Sequence, residues 1–315
     1  MTTNSQKISV VICTKDRPDN LEKCMDSILA SDSLYMEIIV VDSSKTPFNI
    51  GKVRKIVEDR GGRYYYESRS GISFARNIGI ENAKSDIAVF CDDDFIVREG
   101  WIKNLVKNHR DNSVACCTGR MISYRDDYIS NLFEGSMSKD RGTRKRVFTK
   151  DNINFSSLLK NVRLITSRWL GDNAPVPWSI GFGYFSIRKS VTDVVGSFDE
   201  TLGAGTPSLG GEEVDMFYRI LRAGYKVVYE PNAVIYHDHR PNFEAVLKAA
   251  YDAGCSEGAF FRKYSRNDSY VVLFGLGAFL YHVFSMLGTV LELSTKSVRR
   301  VELERLKGFV VQIRR

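Results

Sequence analysis

Three consecutive aspartates, Asp92, Asp93 and Asp94, directly follow an apolar run at residues 87–91. Adjacent carboxylates repel one another unless they face water or a cation lies among them. Carboxylates at a strand end can bind a hard divalent cation through their oxygens. In an extended segment, Asp92 and Asp94 would project to one side and Asp93 to the other. The triplet therefore indicates either an exposed acidic turn or a cation site.

Further side chains have types and positions that are suited to chemistry. Arg76, in the segment GISFARN, could hold a phosphate or pair with the aspartates. Glu212 and Glu213 follow two glycines, which could leave room for a ligand or simply form a turn. His237 and His239 follow a strand-like run and could ligate a metal or be structural.

The elements that must position these residues alternate regularly. Segments with helical spacing of apolar residues separate strand-like runs at 8–14, 36–42, 63–68 and 87–94. This alternation predicts an α/β fold with a mainly parallel sheet flanked by helices. In such sheets ligands bind at the carboxyl ends of the strands, where Thr14, Asp42 and the aspartate triplet lie. Asp42 could bind a base or ribose there, or cap a turn.

The composition is typical of a globular chain of one large domain or two modest ones, with 315 residues, 43% hydrophobic and 26% charged. The net charge of +7 favours an anionic partner, such as nucleic acid, a membrane surface or a phosphorylated small molecule. The six cysteines form no CxxC pair, and MTTNSQK carries no secretory signal. We therefore expect a reducing, cytosolic setting without zinc.

An apolar run of 21 residues at 271–291 contains no Asp, Glu, Lys or Arg. That length is sufficient for a membrane span. The run also contains His282, Ser285 and three glycines, and basic residues flank both ends, so the positive-inside bias is split. We expect a membrane-surface or re-entrant helix or a docking helix, with a buried or oligomer-forming helix as the alternative.

Six segments occur in an order and spacing that are specific when taken together: VVICTKDR, IIVVDSS, GISFARNIGI, IAVFCDDDF, IGFGYFSIRKS and GGEEVDMFYRILRAGYKVVYEPNAVIYH. The series strongly resembles the family 2 glycosyltransferases, which have the GT-A fold, over residues 8–239. This resemblance implies a GT-A domain at 1–245, with a nucleotide-sugar-binding half at 1–120 and an acceptor-binding half at 121–245. A C-terminal helical segment at 246–315 would follow, and it includes the candidate membrane-contact run.

The resemblance also implies roles for the residues at the strand ends. Those expected to bind the nucleotide sugar are Thr14, Arg17, Asp42, Arg76, Asp92 and Asp93. Those expected to hold a divalent cation, Mn or Mg, are Asp94, Asp92 and His237. Asp94 would ligate the cation, and Asp92 would contact the ribose or the metal shell.

On the acceptor side, the resemblance places Gly183 and Trp178 in the wall of the site. Glu213 matches the general base, but the family usually has aspartate there, so Glu212 is an alternative. Asp215, on the next helical turn, is expected to orient the acceptor or the helix. The implied reaction is inverting, because the acceptor hydroxyl attacks the anomeric carbon from the face opposite the diphosphate.

The expected function is metal-assisted transfer of a sugar from a nucleotide-diphosphate sugar to a hydroxyl of a saccharide or lipid-linked saccharide. UDP-sugars are the commonest donors in the family. The expected location is the cytoplasm, at the inner face of the cell membrane.

Other classes of function explain less of the sequence. A dinucleotide-dependent oxidoreductase or a nucleotidyltransferase would have glycines after the first strand, where ICTKDRPDN has none. A nucleic-acid binder would account for the charge of +7 but not for the acidic strand end. The main alternative is a noncatalytic or degenerate nucleotide-sugar-binding domain that acts as a partner in polysaccharide assembly.

Overall fold

The computed structural model of the protein describes residues 8–31, 36–137, 140–153, 176–181, 183–237, 242–290 and 296–315. His239, one of the candidate metal ligands, lies outside these residues.

Four parallel strands form the first half of a central sheet. They are β1 (Ile8–Thr14), β2 (Met36–Asp42), β3 (Arg63–Tyr66) and β4 (Ile87–Asp92), in the spatial order β3-β2-β1-β4. Their carboxyl ends meet at one edge, because Thr14 pairs with Asp42 and Cys13 pairs with Asp92. The mainly parallel arrangement predicted for this part of the chain is confirmed.

The second half of the sheet mixes strand directions. Its strands are β5 (Phe95–Val97), β6 (Val114–Ser123), β7 (Arg146–Phe148), β8 (Phe185–Arg188) and β9 (Lys226–His237). The order continues β4-β8-β6-β9-β5, and β7 pairs with β9. Strand β8 is antiparallel to both β4 and β6, whereas β6 and β9 are parallel.

Helices cover both faces of the sheet. The described helices are α1 (Pro18–Ser31), α2 (Pro47–Asp59), α3 (Ile72–Asn82), α4 (Trp101–Val106), α5 (Tyr128–Met137), α6 (Thr192–Val195), α7 (Glu212–Arg222), α8 (Phe243–Tyr264), α9 (Ser269–Val290) and α10 (Lys296–Arg314). Successive side chains of β1 point to opposite faces of the sheet. Val10 and Ile12 belong to the core that includes α1, α2 and α4, and Val11 belongs to the core that includes α3 and α7.

The C-terminal apolar run forms most of helix α9, and one face of that helix packs into the protein core. Tyr270, Val271, Phe274 and Ala278 are buried in the same core as α3 and α7. None of the described helices is both long and apolar enough to cross a bilayer. An apolar membrane helix at the C-terminus is therefore not supported.

Candidate active site

Asp92 is the last residue of β4, and Asp93 and Asp94 form the turn before β5, so the triplet does not follow the alternation of an extended strand. Asp93 is fully buried, accepts a hydrogen bond from the Thr14 hydroxyl at 2.6 Å and contacts Arg17 at 2.5 Å. Arg17 also donates to Asp94 at 2.9 Å. Arg17 therefore neutralises two of the three carboxylates, while the nearest cation to Asp92 is Arg76, at 3.7 Å.

The two carboxylates that share Arg17 differ in their titration. Burial raises the pKa of Asp93 to about 7, although Arg17 opposes this shift. Burial would also raise the pKa of Asp94, but His237 and Arg17 hold that pKa well below its usual value. Asp94 is therefore the more readily ionised of these two carboxylates.

Asp94 and His237 have a geometry that fits a divalent cation. The Oδ1 atom of Asp94 is buried, has no hydrogen-bond partner and lies 3.7 Å from His237 Nε2. No group of three or more His, Cys, Asp or Glu side chains suited to a metal occurs within the described ranges. Two protein ligands are compatible with Mg²⁺ or Mn²⁺ when substrate phosphates complete the coordination.

Asp42 is at the same sheet edge, but its carboxylate is hydrogen-bonded to neighbouring groups of the protein. Its oxygens accept hydrogen bonds from the Ser44 backbone N–H at 2.8 Å and from the Tyr64 hydroxyl at 2.9 Å. The side chain is fully buried. Asp42 therefore fixes the loop that follows β2, a role that a strand-end aspartate can have without any ligand.

Arg76 holds two glutamates from the start of α7. It is 2% exposed and donates to Glu212 at 2.7 Å and to Glu213 at 2.6 Å. Burial would lower the pKa of Arg76, but Glu213, Glu212 and Asp92 raise it above its ordinary value. The guanidinium is thus permanently charged, and its ion pairs connect α3 to the first turn of α7. These pairs occupy the groups that would otherwise be open to a phosphate.

The second oxygen of Glu213 is also fixed. Glu213 Oε2 accepts a hydrogen bond from the backbone N–H of Gly183 at 3.0 Å. Gly183 has φ +90°, and a Cβ there would lie 2.6 Å from Met121 Cε and 2.8 Å from Phe95 Cζ. Both the backbone conformation and the available space require glycine at this position. The hydrogen bond from its backbone N–H helps to set the orientation of the Glu213 carboxylate.

These residues line a cavity of about 310 Å³. Its wall includes Asp92, Arg76, Glu212, Glu213, Gly183 and Trp178. The Trp178 ring stacks on Phe274 of α9, with 4.3 Å between centroids. The cavity thus brings together residues that were predicted to bind the donor, to act in catalysis and to bind the acceptor. An adjoining cluster contains Thr14, Arg17, Asp93, Asp94 and His237.

Asp215 does not line this cavity. It is fully buried and binds Arg219 at 2.7 Å, Lys263 at 2.5 Å and the Tyr264 hydroxyl at 2.6 Å. The last two residues lie at the end of α8. Asp215 therefore orients helices, the second of the two roles expected for it, and does not reach an acceptor in the cavity.

Sequence reasoning missed one wall of the cavity. Helix α8 contributes Asp252 and Ser256, helix α10 contributes Arg305, and helix α5 contributes Phe133. The sequence places residues 246–315 in a separate C-terminal helical segment that includes the candidate membrane-contact run. The small residues and the two carboxylates in DAGCSEG at 252–258 were the available signal, since they are unusual on the face of a membrane-contacting helix.

Comparison with known proteins places this fold in one class. A mannosyltransferase from Pyrobaculum calidifontis, solved in complex with GDP-Man and Mn²⁺, superposes with a TM-score of 0.61 at 15% identity, covering 99% of this chain and 88% of its own. The fold is therefore that of the GT-A glycosyltransferases.

Two curated relatives and a family model are similar to parts of this chain. The pre-mycofactocin glycosyltransferase of Mycobacterium tuberculosis is 27% identical over 239 residues, 74% of this chain but only 43% of its own length. The GalNAc(5)-diNAcBac-PP-undecaprenol β-1,3-glucosyltransferase of Campylobacter jejuni is 26% identical over 169 residues, 52% of this chain and 54% of its own. The chain thus spans about half the length of these relatives. Residues 9–162, just under half of the chain, match glycosyl transferase family 2, the family that the sequence resembles.

Proposed function

We propose that the protein transfers a sugar from a nucleotide-diphosphate sugar, with UDP as the expected nucleotide, to a hydroxyl of a saccharide or lipid-linked saccharide. The observation that carries this proposal is the fixed carboxylate of Glu213. Arg76 and Gly183 each hold one of its oxygens, and it faces a cavity that Asp92 also lines. Such preorganisation suits a base that must remove a proton in one defined direction.

Glu213 acts as the general base in this proposal. Its carboxylate accepts the proton of the acceptor hydroxyl while the hydroxyl oxygen attacks the anomeric carbon. The bond to the nucleoside diphosphate breaks as the new glycosidic bond forms, so the configuration inverts in a single displacement. Arg76 is a positioning residue that keeps Glu213 and Glu212 in place.

The donor would bind over the adjoining cluster at the strand ends. Asp94 and His237 would hold Mn²⁺ or Mg²⁺, with Asp92 at the edge of that site. A bound cation would supply positive charge to the diphosphate leaving group. Thr14, Arg17 and Asp93 would shape the pocket around the diphosphate. Asp42 would set the position of the loop next to the base of the nucleotide.

The acceptor class is supported by the relatives. The Campylobacter relative is named for an acceptor that is a saccharide linked through diphosphate to undecaprenol. We propose that this chain works in the cytoplasm at the inner face of the membrane, where such acceptors would be accessible. The face of α9 with the exposed side chains Leu276, Phe279 and Leu280 supports contact with the membrane surface.

A thermal-shift screen tests the donor assignment. UDP-glucose, GDP-mannose, dTDP-glucose and a CMP-sugar would be added with and without Mn²⁺. We expect a rise in Tm with one nucleotide that depends on Mn²⁺, because a ligand that binds only the native state stabilises it. The Asp94→Ala variant should keep its Tm without ligand and lose the effect of Mn²⁺.

Other outcomes of the screen separate the alternatives. Equal stabilisation in chelator and in Mn²⁺ would contradict the metal assignment. Stabilisation by a donor together with no transfer to any acceptor would favour a noncatalytic nucleotide-sugar-binding domain.

A further inference from the structure

Helix α8 forms part of the wall of the cavity that Glu213 also lines. Asp252 and Ser256 are four residues apart, so they lie one above the other on the same face of this helix. Both line the cavity together with Glu212 and Glu213. The loop before α7 closes against this face, since a Cβ on Gly211 would lie 3.0 Å from Ser256 Oγ. Helix α8 therefore contributes polar groups to the enclosure that contains the proposed base.

Ser256 lines the cavity and is 9% exposed. Hydroxyls in such surroundings are nearly always hydrogen-bonded, to protein or to a small molecule. Asp252 binds Lys248 through one carboxylate oxygen, at 2.6 Å. The Asp252 side chain is 26% exposed, which leaves its carboxylate accessible to a hydrogen-bond donor from the cavity. These two groups are suited to binding the hydroxyls of a sugar.

The charge of the cavity wall restricts what can bind there. Its carboxylates are Asp92, Glu212, Glu213 and Asp252, and its cations are Arg76 and Arg305. Arg76 is already bound by Glu212 and Glu213, and Arg305 is bound by Glu257, which is buried behind it. Each cation among the described residues that line the cavity is therefore already paired with a carboxylate, and Asp252 adds a partly exposed carboxylate. A phosphate or carboxylate on the acceptor would be repelled.

We propose that Asp252 and Ser256 bind the sugar residue that accepts the transferred group, and that this residue is neutral and not a uronic acid or a sugar phosphate. Helix α8 is then the element that determines acceptor specificity. This assignment rests on the function proposed above, because it places the accepting hydroxyl between α8 and Glu213.

The test is a set of saturation-transfer NMR titrations with paired probes. The 4-nitrophenyl β-glycosides of glucose and galactose are compared with those of glucuronic and galacturonic acid, which differ by one carboxylate. We expect the neutral glycosides to bind at least about tenfold more tightly. Ser256→Ala should weaken them about three- to tenfold through the loss of one hydrogen bond. Asp252→Asn should narrow the preference for neutral over acidic glycosides.

A matched control is Glu244→Gln, an exposed carboxylate in the first turn of the same helix that does not line the cavity. It should leave every affinity unchanged. Equal or tighter binding of the acidic glycosides would overturn the proposal, as would unaltered binding by the Ser256→Ala and Asp252→Asn variants. Failure of all four glycosides to bind would overturn it as well. If nucleotide sugars still raised the Tm in that case, the proposed transferase function would stand without this acceptor assignment.

Discussion

Arg76 is the residue on which the geometry of the candidate base depends. A buried guanidinium is stable only when it is paired, and here it is shared among Glu212, Glu213 and the more distant Asp92. Removing Arg76 would leave buried carboxylates without a counter-ion, so such a variant would test folding more than catalysis. Substitution of the carboxylates is the more informative experiment.

Glu213→Gln should bind the donor normally and lose transfer. The amide oxygen can still accept the hydrogen bond from Gly183, but the side chain can no longer take a proton. We expect kcat to fall about 100- to 10,000-fold, the range for loss of a general base. The measurements are the initial rate of nucleoside diphosphate release with acceptor present and the donor-induced rise in Tm.

The matched variant is Glu212→Gln, which should lose less activity because Glu212 makes no contact with Gly183. The pKa of Glu212 is raised, chiefly by burial and against the effect of Arg76. Full transfer by Glu213→Gln together with inactivity of Glu212→Gln would move the base to Glu212.

The residues of the site could be named from the sequence, but their partners could not. Arg76 and Glu213 were both predicted to belong to the site, and the structure places both in the wall of one cavity. They are 137 positions apart, and their direct contact depends on how α3 and α7 pack. Arg76 was accordingly expected either at a phosphate or paired with the aspartates, because a pattern along the chain does not reveal which charge a buried arginine will meet.

At the level of elements, prediction succeeded where strands and helices alternate regularly along the chain. Strands β1 to β4 and their helices followed from apolar periodicity. Strand β8 lies between β4 and β6, and this position joins segments that are distant in sequence. The face of a helix was equally hard to assign. Asp215 shares the first turn of α7 with Glu213, yet it contacts Lys263 and Tyr264 instead of the cavity.

Helices α8 and α10 pack so closely that a methyl group cannot fit between them. A Cβ on Gly254 would lie 1.8 Å from the backbone oxygen of Arg305. Gly254→Ala should therefore separate the helices and lower the free energy of unfolding by about 1–3 kcal/mol, as overpacking does. Chemical denaturation followed by circular dichroism measures this change.

The control for this substitution is Gly51→Ala in α2, where a Cβ would meet no atom within 4 Å. Alanine is the better helix former, so this variant should be unchanged or up to about 1 kcal/mol more stable. A Gly254→Ala variant as stable as the wild type would show that the helices can move apart without cost. The cavity wall that α8 provides would then be less rigid than its packing implies.

For the whole molecule, the C-terminal helices are part of the same packed body as the sheet. Tyr270, Val271 and Phe274 lie in the core that contains Val11 of β1. Gln312 and Arg315 bond to the Pro207 carbonyl in the loop that precedes α7. Deleting residues 271–315 would expose that core, so a truncated chain would not be a clean test of membrane association.

Point substitutions on α9 provide a sharper test of that association. Leu276, Phe279 and Leu280 follow helical spacing on one face, and they are 53%, 40% and 45% exposed. The next helix begins with the exposed basic residues Lys296, Arg299 and Arg300. An apolar face accompanied by basic residues is suited to the surface of an anionic bilayer.

Wild-type protein should therefore sediment with vesicles that contain phosphatidylglycerol, and less with phosphatidylcholine alone. The combined Leu276→Ser, Phe279→Ser and Leu280→Ser variant should lose most of this binding, because serine offers little apolar surface to the bilayer. Phe48→Ser, at a residue 76% exposed on α2, is the control and should bind like the wild type. Vesicle binding could instead fall with salt and be equal for the wild type and both variants. Such binding would reflect the net charge of +7 alone, and the α9 face would then not be a membrane contact.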